Sequence, residues 1–129
     1  FYLTSDLEQA TRWANRVTKR RKDGIPVVSA FNVDSVKWDH LKIRSFQMDE
    51  DWLEYVFNNR HQKYIADEWD VVFGPVADDQ TMTTLGLYLS GQIKAYMAIE
   101  MLLPQKLKDQ YCFKTEAALS CLHFMEAIQ

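Results

Sequence analysis

Two adjacent carboxylates, Asp78 and Asp79, are the side chains best placed for chemistry in this chain of 129 residues. They follow residues 69–75, a continuous apolar run that ends in Gly-Pro and is typical of a buried central strand. Ligands often collect where strands end and loops carry polar groups, so the pair predicts a polar cluster beside a binding site. The same residues also fit an N-cap and first-turn anion of the next helix, and the sequence favours this structural role.

Metal and nucleophile chemistry lack a matching pattern in the sequence. The histidines His40, His61 and His123 lie far apart, and none has a cysteine or carboxylate at ligand spacing, so we expect no metal site. The motifs G-x-G-x-x-G, G-x-x-x-x-G-K and G-x-S-x-G are all missing. Tryptophan could stack on a base or a nicotinamide ring, although most aromatic residues at such spacing belong to a core. The four tryptophans are Trp13, Trp38, Trp52 and Trp69.

The composition indicates one domain, residues 1–129, because 47% of the residues are hydrophobic and only four are glycine and three proline. The formal net charge of −3 argues against nonspecific electrostatic binding of nucleic acid or anionic lipid. The sequence contains no apolar stretch long enough to span a bilayer. Cys112 and Cys121 fit neither a disulfide scaffold nor a metal site, so we expect two buried thiols and a cytoplasmic location.

The N-terminal residues predict a strand end followed by an amphipathic helix. Residues 1–4 fit the strand end, and Ser5 with Glu8 fits a capping box that starts a helix near Asp6. Apolar residues then recur at steps of three and four on one side of this helix. The basic run at residues 19–22 closes the helix, where cations offset the negative end of the helix dipole. A nucleic-acid patch is the alternative interpretation, and we favour the solvated helix end.

The rest of the chain predicts strands and helices around a mostly non-local sheet, so the fold class is α+β. Further strands are predicted at residues 25–33, 41–46, 69–75 and 110–115, and further helices at 51–60, 81–90 and 93–103. Residues 34–40 are expected to form a polar link. A short last helix is predicted to begin at Thr115, with Leu119, Leu122 and Phe124 turned inward.

Three segments carry a resemblance to a known family: FYLTSDLEQATRWA at residues 1–14, WDVVFGPVADD at 69–79 and DQYCFKTEAAL at 109–119. Their order and spacing resemble bacterial domain-of-unknown-function family 3990, and the likeness spans nearly the whole chain. That family in turn is similar to the ADP-ribosyltransferase-like superfamily. The resemblance implies a split, mostly antiparallel sheet with flanking helices and a central cleft that holds NAD as a substrate.

The resemblance also implies roles for individual residues. Residues 1–4 become the end of a strand whose earlier part lies upstream of Phe1, so the domain lacks its first strand. Tyr2 takes the position that stacks on the nicotinamide ring, and Thr4 lies beside it. Gln110 stands where the superfamily places a glutamate that binds the ribose and stabilises developing positive charge. The implied catalytic residues are Gln110 and Tyr2, and the implied NAD-binding residues are Tyr2, Thr4 and Gln110.

Glutamine keeps a hydrogen bond at this position but supplies no charge, which lowers a rate by a factor on the order of 10². Asp109, Glu116 or the pair Asp78 and Asp79 would then have to provide the carboxylate.

The resemblance implies a mono-ADP-ribosyltransferase or an NAD glycohydrolase, that is, an enzyme of glycosyl transfer. Its acceptor would be a protein, a nucleic acid or a small molecule, and charge alone argues against nucleic acid. The alternative is an inactive binding module that has kept the fold, because Gln110 replaces the charged residue. The two hypotheses differ in whether nicotinamide is released from NAD.

Overall fold

The computed structural model describes residues 1–61, 68–77, 81–105 and 107–129. In these ranges the fold is α+β, as predicted, with one mixed four-stranded sheet and a separate two-stranded ribbon. No helix of the described ranges combines the length and the apolar character that crossing a membrane requires.

The described strands are β1 (Tyr2–Leu3), β2 (Val28–Val33), β3 (Ile43–Ser45), β4 (Val71–Pro75), β5 (Asp109–Phe113) and β6 (Leu122–Ile128). The described helices are α1 (Leu7–Arg21), α2 (Ser35–Trp38), α3 (Glu50–His61), α4 (Met82–Leu89), α5 (Ala95–Leu102) and α6 (Glu116–Leu119). A 3₁₀ turn at Leu103–Gln105 follows α5 directly.

The larger sheet has the strand order β1-β5-β4-β3, in which β3 and β4 are parallel and the other neighbours antiparallel. Strand β4 lies inside this sheet, and Val71 and Val72 are buried, which confirms the predicted central strand. The ribbon pairs β2 with β6 antiparallel and has an irregular register at Ala30 and Phe31. Most strand pairs are therefore antiparallel, and the strands are divided between two sheets.

Two groups of buried side chains form the core. The larger group joins α3 to α4 and α5 and consists of Trp52, Leu53, Leu85, Ala98 and Leu102. The smaller group consists of Val71, Phe113 and Ala118, with Leu3, Ile43 and Tyr111 packed against it. The smaller group lies on one face of the four-stranded sheet, because the strand register places Leu3, Tyr111, Phe113 and Val71 on the same side. Helix α1 belongs to neither group and has no buried residue.

Helix α1 begins at a different cap from the one predicted. Asp6, not Ser5, is the N-cap, and its carboxylate accepts a hydrogen bond from the backbone N–H of Gln9 at 3.0 Å. Lys108 Nζ lies 3.1 Å from the same carboxylate. The hydrogen bond from Gln9, followed by the contact with Lys108, lowers the pKa of Asp6. Asp6 therefore supplies both the N-cap hydrogen bond and a negative charge at the start of α1. The predicted capping box of Ser5 with Glu8 is wrong.

Two elements were not predicted, and one predicted packing is wrong. Residues 35–38 form the short helix α2 within the expected link, and β6 follows α6 almost at once. Leu122 packs against the smaller core group, as expected, but Leu119 is 42% exposed and Phe124 is 61% exposed. The reason is that β6 forms by pairing with β2, about 90 residues earlier, which turns much of the C-terminal segment toward solvent.

Lys22 ends α1 in a left-handed backbone conformation, with φ 56°. Its N–H donates to the carbonyl of Thr18 at 2.9 Å, which is a C-cap geometry that favours glycine. We expect Lys22→Gly to raise the free energy of unfolding by up to about 1 kcal/mol, because glycine has no Cβ to strain this conformation. Denaturant unfolding measures the change. The control is Gly24→Ala, which introduces a Cβ at φ 79° and should destabilise. A loss of stability in Lys22→Gly would contradict the expectation.

Asp70 ties together the starts of β3, β4 and α6. Its carboxylate accepts hydrogen bonds from Thr115 Oγ1 at 2.7 Å and from the backbone N–H of Lys42 at 2.8 Å. Its backbone N–H donates to the carbonyl of Lys42, and its carbonyl accepts from the N–H of Lys114. The Thr115 hydroxyl also caps α6 by accepting from the N–H of Ala118. The hydrogen bonds from Thr115 and then Lys42 lower the pKa of Asp70 below its ordinary value.

Thr115→Val should remove much of the pH-dependent part of the free energy of unfolding that Asp70 contributes at this junction. A carboxylate whose pKa is depressed by folding stabilises the protein above its unfolded pKa, and the effect is lost as pH falls through the folded pKa. At neutral pH the variant should unfold more easily, with the lost helix cap alone costing about 1 kcal/mol. The difference in unfolding free energy between wild type and Thr115→Val should narrow below about pH 4 as Asp70 becomes protonated. Thermal unfolding against pH measures this, Thr115→Ser is the matched control, and a constant difference would contradict the assignment.

Candidate functional site

An open cleft of about 1890 Å³ separates α1 and the ribbon strand β2 from the β1–β5 edge of the larger sheet. It exists because α1 contacts β2 without burying any of its own side chains. The cleft is larger than the usual range of roughly 300–1,000 Å³ for a small-ligand pocket. It is also open to solvent along α1, so a large ligand could reach it directly.

The register of β1 on β5 brings three of the predicted site residues together. Tyr2 lies opposite Cys112, and the following positions place Thr4 beside Gln110, with Thr4 Oγ1 3.5 Å from the carbonyl oxygen of Asp109. Because side chains alternate along a strand, Tyr2, Thr4, Gln110 and Cys112 share one face of the sheet. Tyr2, Thr4 and Gln110 all line the cleft.

The other predicted pair cannot be placed. Asp78 and Asp79 lie outside the described residues. The residues just before them, Val76 and Ala77, line the cleft.

Tyr2 presents its phenol at the edge of the sheet and is 68% exposed. The electrostatic interaction with Cys112, then partial burial and a hydrogen bond with Cys112, raise the pKa of this phenol, and Lys114 partly opposes the shift. Tyr2 is therefore a neutral hydrogen-bond donor at physiological pH, with a flat ring available for stacking. Cys112 was not predicted at the site, because a cross-strand neighbour can be identified only from the register.

The hydroxyl of Thr4 joins β1 to α1. It donates to Gln9 Oε1 at 3.0 Å and accepts a hydrogen bond from the backbone N–H of Asp6, also at 3.0 Å. These two bonds occupy its proton and one lone pair, so the hydroxyl first of all fixes the turn into α1. Gln9 also lines the cleft, and no motif or spacing in the sequence predicts it there.

Gln110 lies opposite Gly74 of β4, and the register of β1 continued by one residue places Thr4 on its other side. Gly74 is buried, and a Cβ there would lie 3.0 Å from the Cβ of Phe46, so a side chain at this position would clash. Phe46 therefore fills the space beside Gln110 that a side chain at position 74 would take. The carboxamide of Gln110 is half-buried and can donate and accept hydrogen bonds toward the cleft.

Neither Asp109 nor Glu116 places its carboxylate beside Gln110. Asp109 begins β5, points away from the face of Gln110, and lines a second, smaller cavity of about 380 Å³. Glu116 lies in the first turn of α6, as the sequence predicted, and is exposed. The polar side chain that β5 contributes to the candidate site is therefore the amide of Gln110.

The charges that line the cleft have one sign. Arg12, Arg16, Arg21 and Lys108 line it, and no carboxylate does so among the residues that the structure describes. This contrasts with the net charge of −3 for the whole chain. Aromatic residues line the same cleft, namely Phe1, Tyr2, Trp13, Phe31, Trp38, Tyr111 and Phe113. Trp38, Tyr111 and Phe113 pack in the smaller core group, so the exposed rings are those of Phe1, Tyr2 and Trp13. Cations and flat rings together suit a ligand that has both phosphate groups and aromatic rings.

Metal ligation finds no support in the described part of the chain. No group of three or more His, Cys, Asp or Glu side chains there could hold an ion. His40 is exposed, and His123 Nε2 lies 3.8 Å from a carboxylate oxygen of Asp34. Both cysteines are free, but only Cys121 is buried, so the prediction of two buried thiols is wrong for Cys112.

The fold and the site define an α+β domain with an open, cation-lined cleft between a mixed sheet and an antiparallel ribbon. Residues 1–124 match the model of the family described as "Protein of unknown function (DUF3990)", and the chain belongs to that family. The resemblance seen in the sequence is thereby confirmed at the level of the family. No curated protein and no solved structure matches the chain.

Proposed function

We propose that this domain binds NAD in the cleft beside β1 and β5 and transfers or hydrolyses its ADP-ribose group. The observation that carries the proposal is the lining of the cleft, in which cations and aromatic rings occur together without a described carboxylate. NAD needs both features, because it has a pyrophosphate and two ring systems. The resemblance to the ADP-ribosyltransferase-like superfamily supports the same ligand.

The proposed binding mode follows from the positions of the side chains. The exposed ring of Tyr2 stacks on the nicotinamide, and the carboxamide of Gln110 makes a hydrogen bond to a hydroxyl of the adjoining ribose. The side chain of Arg21 lines the cleft and makes no ion pair or hydrogen bond with a described residue, so its guanidinium is available to the pyrophosphate. Thr4 and Gln9 hold the turn that positions Tyr2.

The proposed reaction is glycosyl transfer at the ribose C1′ atom. The bond from C1′ to the nicotinamide nitrogen breaks, and nicotinamide leaves with the electron pair. A water molecule or an acceptor nucleophile forms the new bond to C1′ and releases its proton to solvent. The domain contributes positioning and polar stabilisation of a centre that resembles an oxocarbenium ion.

A second candidate function is NAD binding without turnover. The observation that favours it is Gln110, since an amide cannot supply the negative charge that stabilises an oxocarbenium-like centre. This alternative keeps the ligand and removes the reaction, so binding and turnover must be measured separately.

The test combines thermal unfolding with and without NAD and an assay of nicotinamide release. The variants are Tyr2→Ala and Gln110→Ala, and the matched control is Tyr96→Ala, which removes a similarly exposed ring from α5, away from the cleft. We expect NAD to raise the melting temperature of the wild-type and control proteins, and to raise that of the two site variants less. Absence of any NAD-dependent shift together with absence of release would reject the proposal, and a shift without release would establish the second candidate.

A further inference from the structure

Helix α1 concentrates positive charge in a protein that is acidic as a whole. Six of the 15 lysines and arginines lie in residues 12–22, which form the last three turns of α1 and its C-cap, whereas the formal net charge is −3. Since α1 has no buried residue, this charge is presented to solvent. The net charge of the chain therefore conceals a local cationic surface.

Three side chains form a line along this surface. Trp13, Arg16 and Arg20 are spaced i, i+3 and i+7, which places them on the same side of an α-helix. The seven steps from Trp13 to Arg20 span about 10 Å at 1.5 Å per residue. Trp13 is 57% exposed, and both arginines are exposed. We call Trp13, Arg16, Lys19, Arg20 and Lys22 the α1 ridge.

The cations at the end of the ridge are not neutralised by neighbours. Lys19, Arg20 and Lys22 make no ion pair with a residue that the structure describes. Several other cations do have carboxylate partners: Arg12 pairs with Glu8 at 3.0 Å, and Lys42, Arg44 and Lys108 also pair with carboxylates. In addition, Lys22 occupies a left-handed position that glycine would take with less strain. Lysine at this position therefore makes the end of α1 less stable than glycine would.

We propose that the α1 ridge binds single-stranded nucleic acid. Cations along a helix attract the phosphate backbone, and an exposed aromatic ring among them gives an unpaired base a surface to stack on. A lipid surface fits less well, because Ala10, Ala14 and Val17 are half-buried and line the cleft, so they are turned toward the protein. The cations alone would suit a solvated helix end, but that role does not require an exposed tryptophan beside them.

The ridge borders the cleft, because Trp13 and Arg16 also line it. A nucleic-acid strand bound on the α1 ridge would therefore lie at the mouth of the cleft. The inference does not depend on NAD binding, since the ridge cations and Trp13 do not include any of the residues proposed to hold the nicotinamide. Nucleic-acid binding is measured without NAD, and nicotinamide release is measured without nucleic acid, so failure of one leaves the other intact.

The first experiment measures the affinity of the full chain for a labelled single-stranded oligonucleotide, by fluorescence anisotropy, over a series of salt concentrations. The test variant combines Lys19→Gln, Arg20→Gln and Lys22→Gln. The matched control combines Lys37→Gln, Lys42→Gln and Lys94→Gln, which removes the same charge from exposed positions outside α1.

We expect the ridge variant to bind at least about tenfold more weakly at low salt and the control to bind nearly as the wild type does. The slope of log affinity against log salt should fall by about 2 in the ridge variant, since each lost phosphate contact removes roughly 0.7. Equal losses in the two triple variants would overturn the proposal, because binding would then follow net charge. Failure of the wild-type protein to bind the oligonucleotide at all would also overturn it.

The second experiment tests the stacking surface with Trp13→Ala, a substitution at an exposed side chain that leaves the core intact. We expect affinity for the single strand to fall about tenfold and affinity for a duplex of the same length to change little, because paired bases are not free to stack. An equal effect on both forms would remove the stacking role of Trp13 and overturn the preference for single strands. Binding to vesicles that contain anionic lipid, without binding to oligonucleotide, would overturn the choice of partner.

Discussion

Replacing Gln110 by glutamate is expected to raise the rate of nicotinamide release from NAD by about 100-fold. The expectation rests on the proposed NAD site. A preorganised group that stabilises charge in the transition state raises the reaction rate by a factor of roughly 10²–10³. Glutamate adds a negative charge on a side chain of nearly the same size as glutamine. Gln110 is half-buried, and glutamate has almost the same shape as glutamine, so the new carboxylate fits the space that the carboxamide occupies.

The measurement is single-turnover release of nicotinamide by wild type and variant at saturating NAD, which separates the chemical step from binding. The matched control is Gln105→Glu, which adds the same charge to the lining of the cleft but not to β5. Both proteins are first checked for an NAD-dependent shift in melting temperature. If Gln110→Glu still binds NAD but releases nicotinamide no faster than Gln105→Glu, then Gln110 does not face the reacting centre.

Trp52→Ala should destabilise the protein by about 3–5 kcal/mol, whereas Trp13→Ala should cost less than about 1 kcal/mol. The same atoms are removed in both variants, but Trp52 is 3% exposed and Trp13 is 57% exposed. Trp52 also donates its indole N–H to the carbonyl of Pro75 at 3.1 Å, and that carbonyl loses this partner in the variant.

Equilibrium unfolding in denaturant gives both free energies. Trp52→Phe serves as an intermediate variant, since it keeps most of the apolar volume and loses only the hydrogen bond and part of the ring. We expect its stability to fall between those of wild type and Trp52→Ala. Similar losses in Trp52→Ala and Trp13→Ala would contradict the packing described for α1 and α3.

The same two tryptophans show what local pattern can and cannot predict. Both lie at helical spacing among apolar residues, so the sequence places each on the inward side of a helix. Helix α3 meets α5 and buries Trp52, while α1 borders an open cleft and leaves Trp13 in solvent. Periodicity identifies the side of the helix that is apolar, but it carries no information on whether another element covers that side.

Strand prediction succeeded where local composition was strong and failed where pairing was distant. Residues 69–75 form an apolar run, and β4 lies there as a central strand. Strand β6, in contrast, has an exposed side chain at most positions and forms against β2, which lies far away in sequence. Helix α2 is a single turn capped by Asp34, too short for a periodic signal.

The candidate site was predictable only in part. The proximity of Tyr2 and Gln110 followed from the resemblance to a family, because no local rule pairs two strands more than 100 residues apart. The cationic lining could not be predicted at all, since Arg21 and Lys108 come together only in the folded chain. The formal net charge of −3 predicts an acidic surface, which is the opposite of the lining of the cleft.

The sparse packing of α1 has a consequence for its local stability. A helix of 15 residues is marginal in water, so α1 depends on its end caps, the ion pair of Arg12 with Glu8, and its limited contact with β2. Its backbone amides should therefore exchange with deuterium through local opening, well before those of α5, which contributes Ala98 and Leu102 to the larger core group. A ligand that bridges α1 and β5 would slow that exchange selectively, so this weakly packed helix would become a sensitive reporter of binding.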